Sequence, residues 1–484
     1  MILGSTPAAA LGTPVQGAGS TWVQIALDQW RADIAKQGYS VNYQGVGSSA
    51  GRSFYIQGQV DFAASEIPFQ PDEVKQLNSV GKHWQYLPDV AGGTSLMYNL
   101  HAPDGSRIGC IPDQHGATNC PHLQLDADAA GKIFTGGITR WQDPEIQALN
   151  PGLTIKETRI QPVIRSDGSG TSAQFSLFLA DQAPSVWNAF AQANGCPAPC
   201  SQWPQFGSAY SASGSDSVAN FVSNDSLGSG AIGYVEAGYA YGRGFPVGSL
   251  HNASGGFTQP VSANIATALR HATLNADLTQ NLTASYRAPE PTAYAMSSYS
   301  YMITPTMQSS GFDPGKGLVL GTWIIYIACA GQREAAPLGY SPLPPNLIQA
   351  DFDAVNRIPG HPVTPPLDYA HCPNPTLVSD YGGGPRAPTN APRSGGTVQT
   401  ASGPAATAAA APTAAESIKL GPGQVLVQLL NAAQRSAILA RALDIARRAV
   451  PPASTPLFLS ALALLLLVFV PILSDVGRGK SGRG

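Results

Sequence analysis

Arg165-Ser166-Asp167-Gly168-Ser169-Gly170-Thr171-Ser172 places a guanidinium, a carboxylate, two glycines and four hydroxyls side by side. An extended stretch, residues 160–164, precedes it, and residues 173–180 read as a helix. The order is therefore strand, tight turn, helix start. A helix start presents unpaired backbone N–H groups and the positive end of the helix dipole. Gly168 and Gly170 let a ligand approach the backbone. Ser169, Thr171 and Ser172 add hydroxyl donors, and Arg165 adds a rigid fork of charged donors. These types suit non-covalent capture of a small tetrahedral or carboxylate anion. An ordinary capped turn with an Arg165–Asp167 pair at the surface would use the same residues.

Two more turns of this kind lie upstream. Gln16-Gly17-Ala18-Gly19-Ser20-Thr21-Trp22 leads into a helix whose apolar stripe is Trp22, Ala26, Trp30 and Ile34, with Leu27 beside it. Ser20 or Thr21 is the expected N-cap and Gly38 the expected stop. Residues 40–44 alternate like a strand and meet Gly45-Val46-Gly47-Ser48-Ser49-Ala50-Gly51. Residues 60–64 form a further strand that ends at Ser65-Glu66. In an open α/β sheet such turns sit at the carboxyl ends of strands, where ligands bind. None matches a Walker loop or the three-glycine form of the dinucleotide fingerprint. Further on, residues 86–99, 230–236 and 299–303 read as strands. Residues 127–134, 187–193, 217–222, 264–274, 317–329 and 347–355 read as helices.

The formal net charge of −3 with 12% charged residues lacks the basic excess of a nucleic-acid binder. The six cysteines are Cys110, Cys120, Cys196, Cys200, Cys329 and Cys372. An even number beside a membrane segment suggests oxidised pairs and an exported domain. Sequence does not choose among the possible pairings, and neighbour pairing is the simplest: Cys110–Cys120, Cys196–Cys200 and Cys329–Cys372. The rival for Cys110, His115, Cys120 and His122 is a metal site, although the spacing fits no standard zinc pattern. Residues 1–13 have neither the basic start nor the apolar run of a signal peptide, so the export signal is expected upstream of Met1 or already removed.

The folded part is expected to end near Cys372. Residues 374–420 turn to Pro, Ala, Gly, Thr and Ser and read as a disordered linker. Residues 421–450 read as a helix. Residues 457–473 carry no charge, which suits a transmembrane helix at the short end of the spanning range. Arg478, Lys480 and Arg483 make residues 474–484 a cytoplasmic tail.

With the three turns in view, the chain resembles the substrate-binding proteins of phosphate-specific ABC transporters. The matching stretches are Gly17-Ala-Gly-Ser-Thr-Trp22, Asn42-Tyr-Gln-Gly-Val-Gly-Ser-Ser49, Val60-Asp-Phe-Ala-Ala-Ser65, Arg165–Ser172 and Gly230-Ala-Ile-Gly-Tyr-Val-Glu236. Ile133-Phe-Thr-Gly-Gly-Ile-Thr-Arg-Trp141 and Leu149-Asn-Pro-Gly152 also match. The resemblance implies an α/β, two-lobed periplasmic-binding-protein type II fold with a hinge, ahead of the linker and anchor. Residues 14–100 and 297–373 would form lobe I, and residues 101–296 lobe II. It implies inorganic phosphate held by Thr21 and Trp22 (mainly through backbone N–H), Ser48, Arg165, Ser169, Gly170 and Thr171. Asp167 would hold the Arg165 fork in place. The family's aspartate after the Ala-Ser of the second strand, here Ala64-Ser65, is Glu66 in this chain. Trp22 stands where phenylalanine is usual, and Ala50 where glycine is usual. Near neutral pH phosphate keeps a proton and sulfate does not. A carboxylate accepts a hydrogen bond from that proton and only repels a sulfate oxygen, a difference of several kcal/mol when buried.

The expected function is an extracytoplasmic, membrane-anchored phosphate receptor that delivers its ligand to ABC permease subunits. No cofactor, metal or nucleic acid enters this reading. The alternative is a membrane-anchored anion sensor or surface interaction protein on the same fold. An enzyme such as a phosphatase is disfavoured, because there is no His-Glu-x-x-His and no metal carboxylate cluster.

Overall fold

The protein is described by a computed structural model over residues 11–309 and 311–378. Residues 379–420 of the expected linker, the helix at 421–450, the apolar span at 457–473 and the tail at 474–484 lie outside the described residues. Among the described residues no helix is long and apolar enough to cross a membrane.

Nine strands form the main sheet: β1 (Val15–Gly19), β2 (Val41–Gly45), β3 (Phe62–Ser65), β4 (Trp84–Tyr98), β5 (Gln161–Arg165), β6 (Tyr210–Ala212), β7 (Ala231–Glu236), β8 (Ser297–Pro305) and β9 (Tyr340–Ser341). Their order is β2-β1-β3-β8-β4-β7-β5-β6, with β9 on β4. β1 runs parallel to β2 and β3, and β5 runs parallel to β6 and β7. Two parallel groups are thus joined through antiparallel β4 and β8. β4 serves both groups, pairing with β8 through Trp84–Gly93 and with β7 through Thr94–Tyr98. Its register shifts where Val90 faces Ser300 and Pro88 faces Tyr301, which leaves Asp89 as a bulge.

Parallel sheets need both faces covered, so their strands read as unbroken apolar runs. β7 is buried at every position. So is β8, where Tyr299, Tyr301 and Ile303 alternate along the strand.

Helix α1 (Gln24–Ala35) buries Ala26, Leu27, Trp30 and Ile34, the expected stripe. It begins later than Ser20 or Thr21, and no side chain caps it. Helix α2 (Ser48–Ile56) follows β2, α3 (Gly170–Gln182) follows β5, and α4 (Gly214–Val222) follows β6. The helix expected over residues 264–274 is Ser262–Leu269 instead. Thr273–Leu274 turns away and pairs with Gln280–Asn281 as a hairpin.

The disulfides are Cys110–Cys120, Cys196–Cys200 and Cys329–Cys372. The first removes both thiolates that a metal site at residues 110–122 would need. No group of His, Cys, Asp and Glu among the described residues suits a metal. The packed chain continues past Cys372. Asn374 is buried, donating to the Ala328 carbonyl at 2.8 Å, and a short 3-10 turn, Pro375–Leu377, follows.

Candidate functional site

Each expected site residue leaves the carboxyl end of a strand. Thr21 follows β1, Ser48 follows β2, Glu66 follows β3, and Gly170 and Thr171 follow Arg165 at the end of β5. Strand ends in a parallel group share one edge, so residues far apart in sequence meet there.

Arg165 is the fixed point. Its side chain is 1% exposed, which excludes a surface pair with Asp167. Nε donates to Asp167 Oδ1 at 2.7 Å, and Nη2 donates to Oδ2. Nη1 reaches Thr171 Oγ1 at 3.3 Å and Ser215 Oγ at 3.2 Å. Asp167 also accepts from the Gly214 N–H at 2.9 Å. Burial pushes the Asp167 carboxyl up, but the Arg165 hydrogen bonds and charge outweigh it, and the pKa lies below the usual value. Two parallel N–H···O bonds leave the guanidinium little freedom to turn.

Glu66 is the opposing charge, 1% exposed. Its Oε2 accepts from Ser48 Oγ at 2.8 Å, and that hydroxyl accepts from the Gly170 N–H at 3.0 Å. Glu66 Oε1 is buried and has no partner among the described residues. Burial raises the carboxyl above its usual pKa, against the opposing pull of Ser20, Ser48 and Arg165. The two sequence-distant segments also touch through backbone: the Ser49 N–H donates to the Gly168 carbonyl at 3.0 Å.

Three buried tyrosines orient the first turn. The hydroxyls of Tyr43, Tyr239 and Tyr340 donate to the carbonyls of Ser20, Thr21 and Trp22 respectively. A trans peptide sets its N–H opposite its C=O, so pinning the Ser20 carbonyl aims the Thr21 N–H the other way. Among the described residues neither the Thr21 nor the Thr171 N–H reaches an acceptor. The Thr21 hydroxyl lies 3.0 Å from Ser215 Oγ and accepts from the Ser215 N–H at 3.0 Å.

Thr21, Ser48, Glu66, Arg165, Asp167, Gly170 and Thr171 therefore form one buried cluster. Two further expected ligands, Trp22 and Ser169, hold bonds within their own turns. The Trp22 N–H donates to Ser20 Oγ at 2.9 Å, and its indole packs edge-on to Tyr340 and donates to Thr94 Oγ1 at 3.2 Å. Ser169 is the N-cap of α3: its Oγ accepts from the Ser172 N–H at 3.2 Å, and its own N–H donates to the Ser201 carbonyl at 2.8 Å. Ser215 is the member that sequence reasoning missed. The strand, glycine and helix order at residues 210–222 repeats the signal of the other turns, but Ser215 stands without an arginine beside it. The arrangement offers converging donors and one carboxylate, which fits a protonated oxyanion.

The PBP superfamily domain matches residues 4–321. The chain is 28% identical over 336 residues to the phosphate-binding protein PstS of Xylella fastidiosa, covering 69% of this chain and 83% of that protein. It is 27% identical over 355 residues to the phosphate-binding protein PstS 2 of Mycobacterium tuberculosis, covering 71% and 87%. Among solved structures it resembles the ancestral soluble variant of the human phosphate binding protein, with a TM-score of 0.53 at 17% identity, covering 72% of this chain and 99% of that one. The last similarity concerns the fold.

Proposed function

The chain belongs to the PBP superfamily, and from that premise we propose that it is an extracytoplasmic receptor for inorganic phosphate serving an ABC permease. One observation carries the proposal: a buried arginine fork and the free amides of Thr21 and Thr171 meet a buried carboxylate that keeps an unpaired oxygen, Glu66 Oε1. Donors suit the phosphate oxygens, and the free carboxylate oxygen suits the proton that phosphate carries and sulfate lacks. The similarity to PstS proteins supports the same ligand.

The ligand set is Thr21, Trp22, Ser48, Glu66, Arg165, Ser169, Gly170 and Thr171, with Asp167 and Ser215 holding Arg165. Lobe I comprises residues 14–100 and 297–373 and lobe II residues 101–296, with the chain crossing between them at about residues 100 and 296. Binding closes the lobes over the ligand, with recognition and no chemistry. Three disulfides favour export. The uncharged run at 457–473 would anchor the receptor by a single pass.

Titration of the protein and of Glu66→Gln with phosphate and sulfate tests the reading. The parent should prefer phosphate, and the amide should narrow that preference by roughly ten- to a hundredfold, as expected for one charge-assisted hydrogen bond. Equal affinity of the parent for both anions would overturn it.

A further inference from the structure

The site cluster has a second buried guanidinium as a neighbour. Arg52, on α2, is 2% exposed. Its Nε donates to both oxygens of Glu73, at 2.9 Å and 3.2 Å. Glu73 belongs to the helix Pro71–Ser79, and its Oε2 also accepts from the Gln70 N–H at 2.7 Å. One nitrogen thus meets the whole carboxylate, and the two terminal nitrogens turn to other partners. Nη1 donates to Ser65 Oγ at 2.9 Å, and Nη2 reaches Ser49 Oγ at 3.5 Å.

Ser65 and Ser49 are the chain neighbours of Glu66 and Ser48. Those two residues meet through the 2.8 Å bond from Ser48 Oγ to Glu66 Oε2. Arg52 therefore ties together the same two segments that the Ser48–Glu66 bond joins. Ser65 Oγ donates onward to the Ile67 carbonyl at 2.7 Å, and the Glu66 carbonyl accepts from Gln174 Nε2 at 2.6 Å. The backbone on both sides of Glu66 is held in this way.

An ion pair that only fastened α2 to the helix Pro71–Ser79 would serve as well at the surface, where both charges keep their water. Burying a guanidinium is costly unless its donors are met. Here the terminal donors are met by the turns that carry Ser48 and Glu66. A glutamate also has one methylene more than an aspartate, so its carboxylate has one more bond to turn about. Where Glu66 Oε1 lies then depends on the spacing between the start of α2 and the end of β3, which Arg52 spans.

We propose that Arg52 is a positioning residue for the Glu66 carboxylate, and through it a determinant of selection for a protonated oxyanion over an unprotonated one. The inference rests on the phosphate reading above. Loosening the spacing costs phosphate the hydrogen bond from its proton to Glu66. Sulfate has no such proton and loses nothing by the change, so selectivity falls where general damage to the site would weaken both anions together.

The test is titration of the full chain and its variants with inorganic phosphate, with sulfate affinity read from the concentration that displaces bound phosphate. Lysine at position 52 keeps a charge beside Glu73, but a point charge does not reproduce the fork that reaches both serines. In Arg52→Lys phosphate affinity should fall about tenfold while sulfate affinity stays within about twofold, so the preference narrows about tenfold. Ser65→Ala removes the acceptor of Nη1, leaves the Glu73 pair in place and should narrow the preference in the same direction. That variant decides if Arg52→Lys fails to fold. Lys75→Ala, which breaks an exposed pair with Asp72 on the Glu73 helix, should leave both affinities unchanged. A parent without any preference overturns the phosphate reading and this inference with it. A selective parent whose preference survives both substitutions, or in which both anions weaken equally, overturns the role of Arg52 alone.

Discussion

Gly170 stands so close to Glu66 that a Cβ built on it would lie 1.8 Å from Oε2 and 2.7 Å from Ser48 Oγ. The residue opposite the carboxylate must therefore be glycine for these two segments to meet. The same contact leaves the Gly170 N–H free to bond Ser48.

Gly170→Ala should weaken phosphate binding by roughly ten- to a hundredfold, because overpacking a filled site costs about 1–3 kcal/mol. Gly170 does not need a positive φ, so the fold should tolerate alanine. Calorimetric titration beside a thermal melt separates the two effects. Unchanged affinity would mean that the ligand sits elsewhere.

Ser215→Ala removes the acceptor that Arg165 Nη1 meets at 3.2 Å and the neighbour of the Thr21 hydroxyl at 3.0 Å. A buried donor left unpaired costs about 1–3 kcal/mol. Phosphate affinity should fall about tenfold, with a larger effect than Ser223→Ala, whose hydroxyl bonds only its own helix end. Comparison of the two titrations checks this.

Asp351 is buried with Oδ1 unpartnered, and burial, with Asp89 adding its charge, raises its pKa well above 3.8. A raised folded pKa means that the folded state binds the proton more tightly. That contribution to stability is complete below pH 3.8 and is lost as pH rises through the folded value. Asp351→Asn has no such loss. Its stability relative to the parent should therefore grow as pH rises above about 4. Urea unfolding of both proteins at several pH values reads the trend, and a constant difference would contradict it.

Replacing Cys329 and Cys372 together by serine opens a loop with a sequence separation of 43, whereas Cys196 and Cys200 close one of 4. Loop-closure entropy assigns about 4 kcal/mol to the first and about 2 kcal/mol to the second. The first pair of substitutions should therefore lower the urea midpoint more than the second.

Local signals made much of this protein legible. Strand, glycine turn and helix follow one another within a few residues at 16–22, 45–51 and 165–172, so the α/β class could be read directly. The pairing of Asp167 with Arg165 was legible for the same reason, since two residues of separation leave little choice of geometry. Neighbouring cysteines paired because short loops cost least to close.

What the sequence left open depended on partners distant in the chain. The Trp22 and Gly170 amides each bond a hydroxyl, of Ser20 and of Ser48, and Ser169 accepts in capping its own helix while its O–H stays able to donate. No local pattern places Tyr43, Tyr239 and Tyr340 on three successive carbonyls, or Ser215 against Arg165. Alternation at residues 299–303 marked a strand, while its burial throughout depends on what packs against each face. Residue types settled what chemistry was available; the crossing of β4 and β8, by bringing two parallel groups edge to edge, decided which of those groups meet.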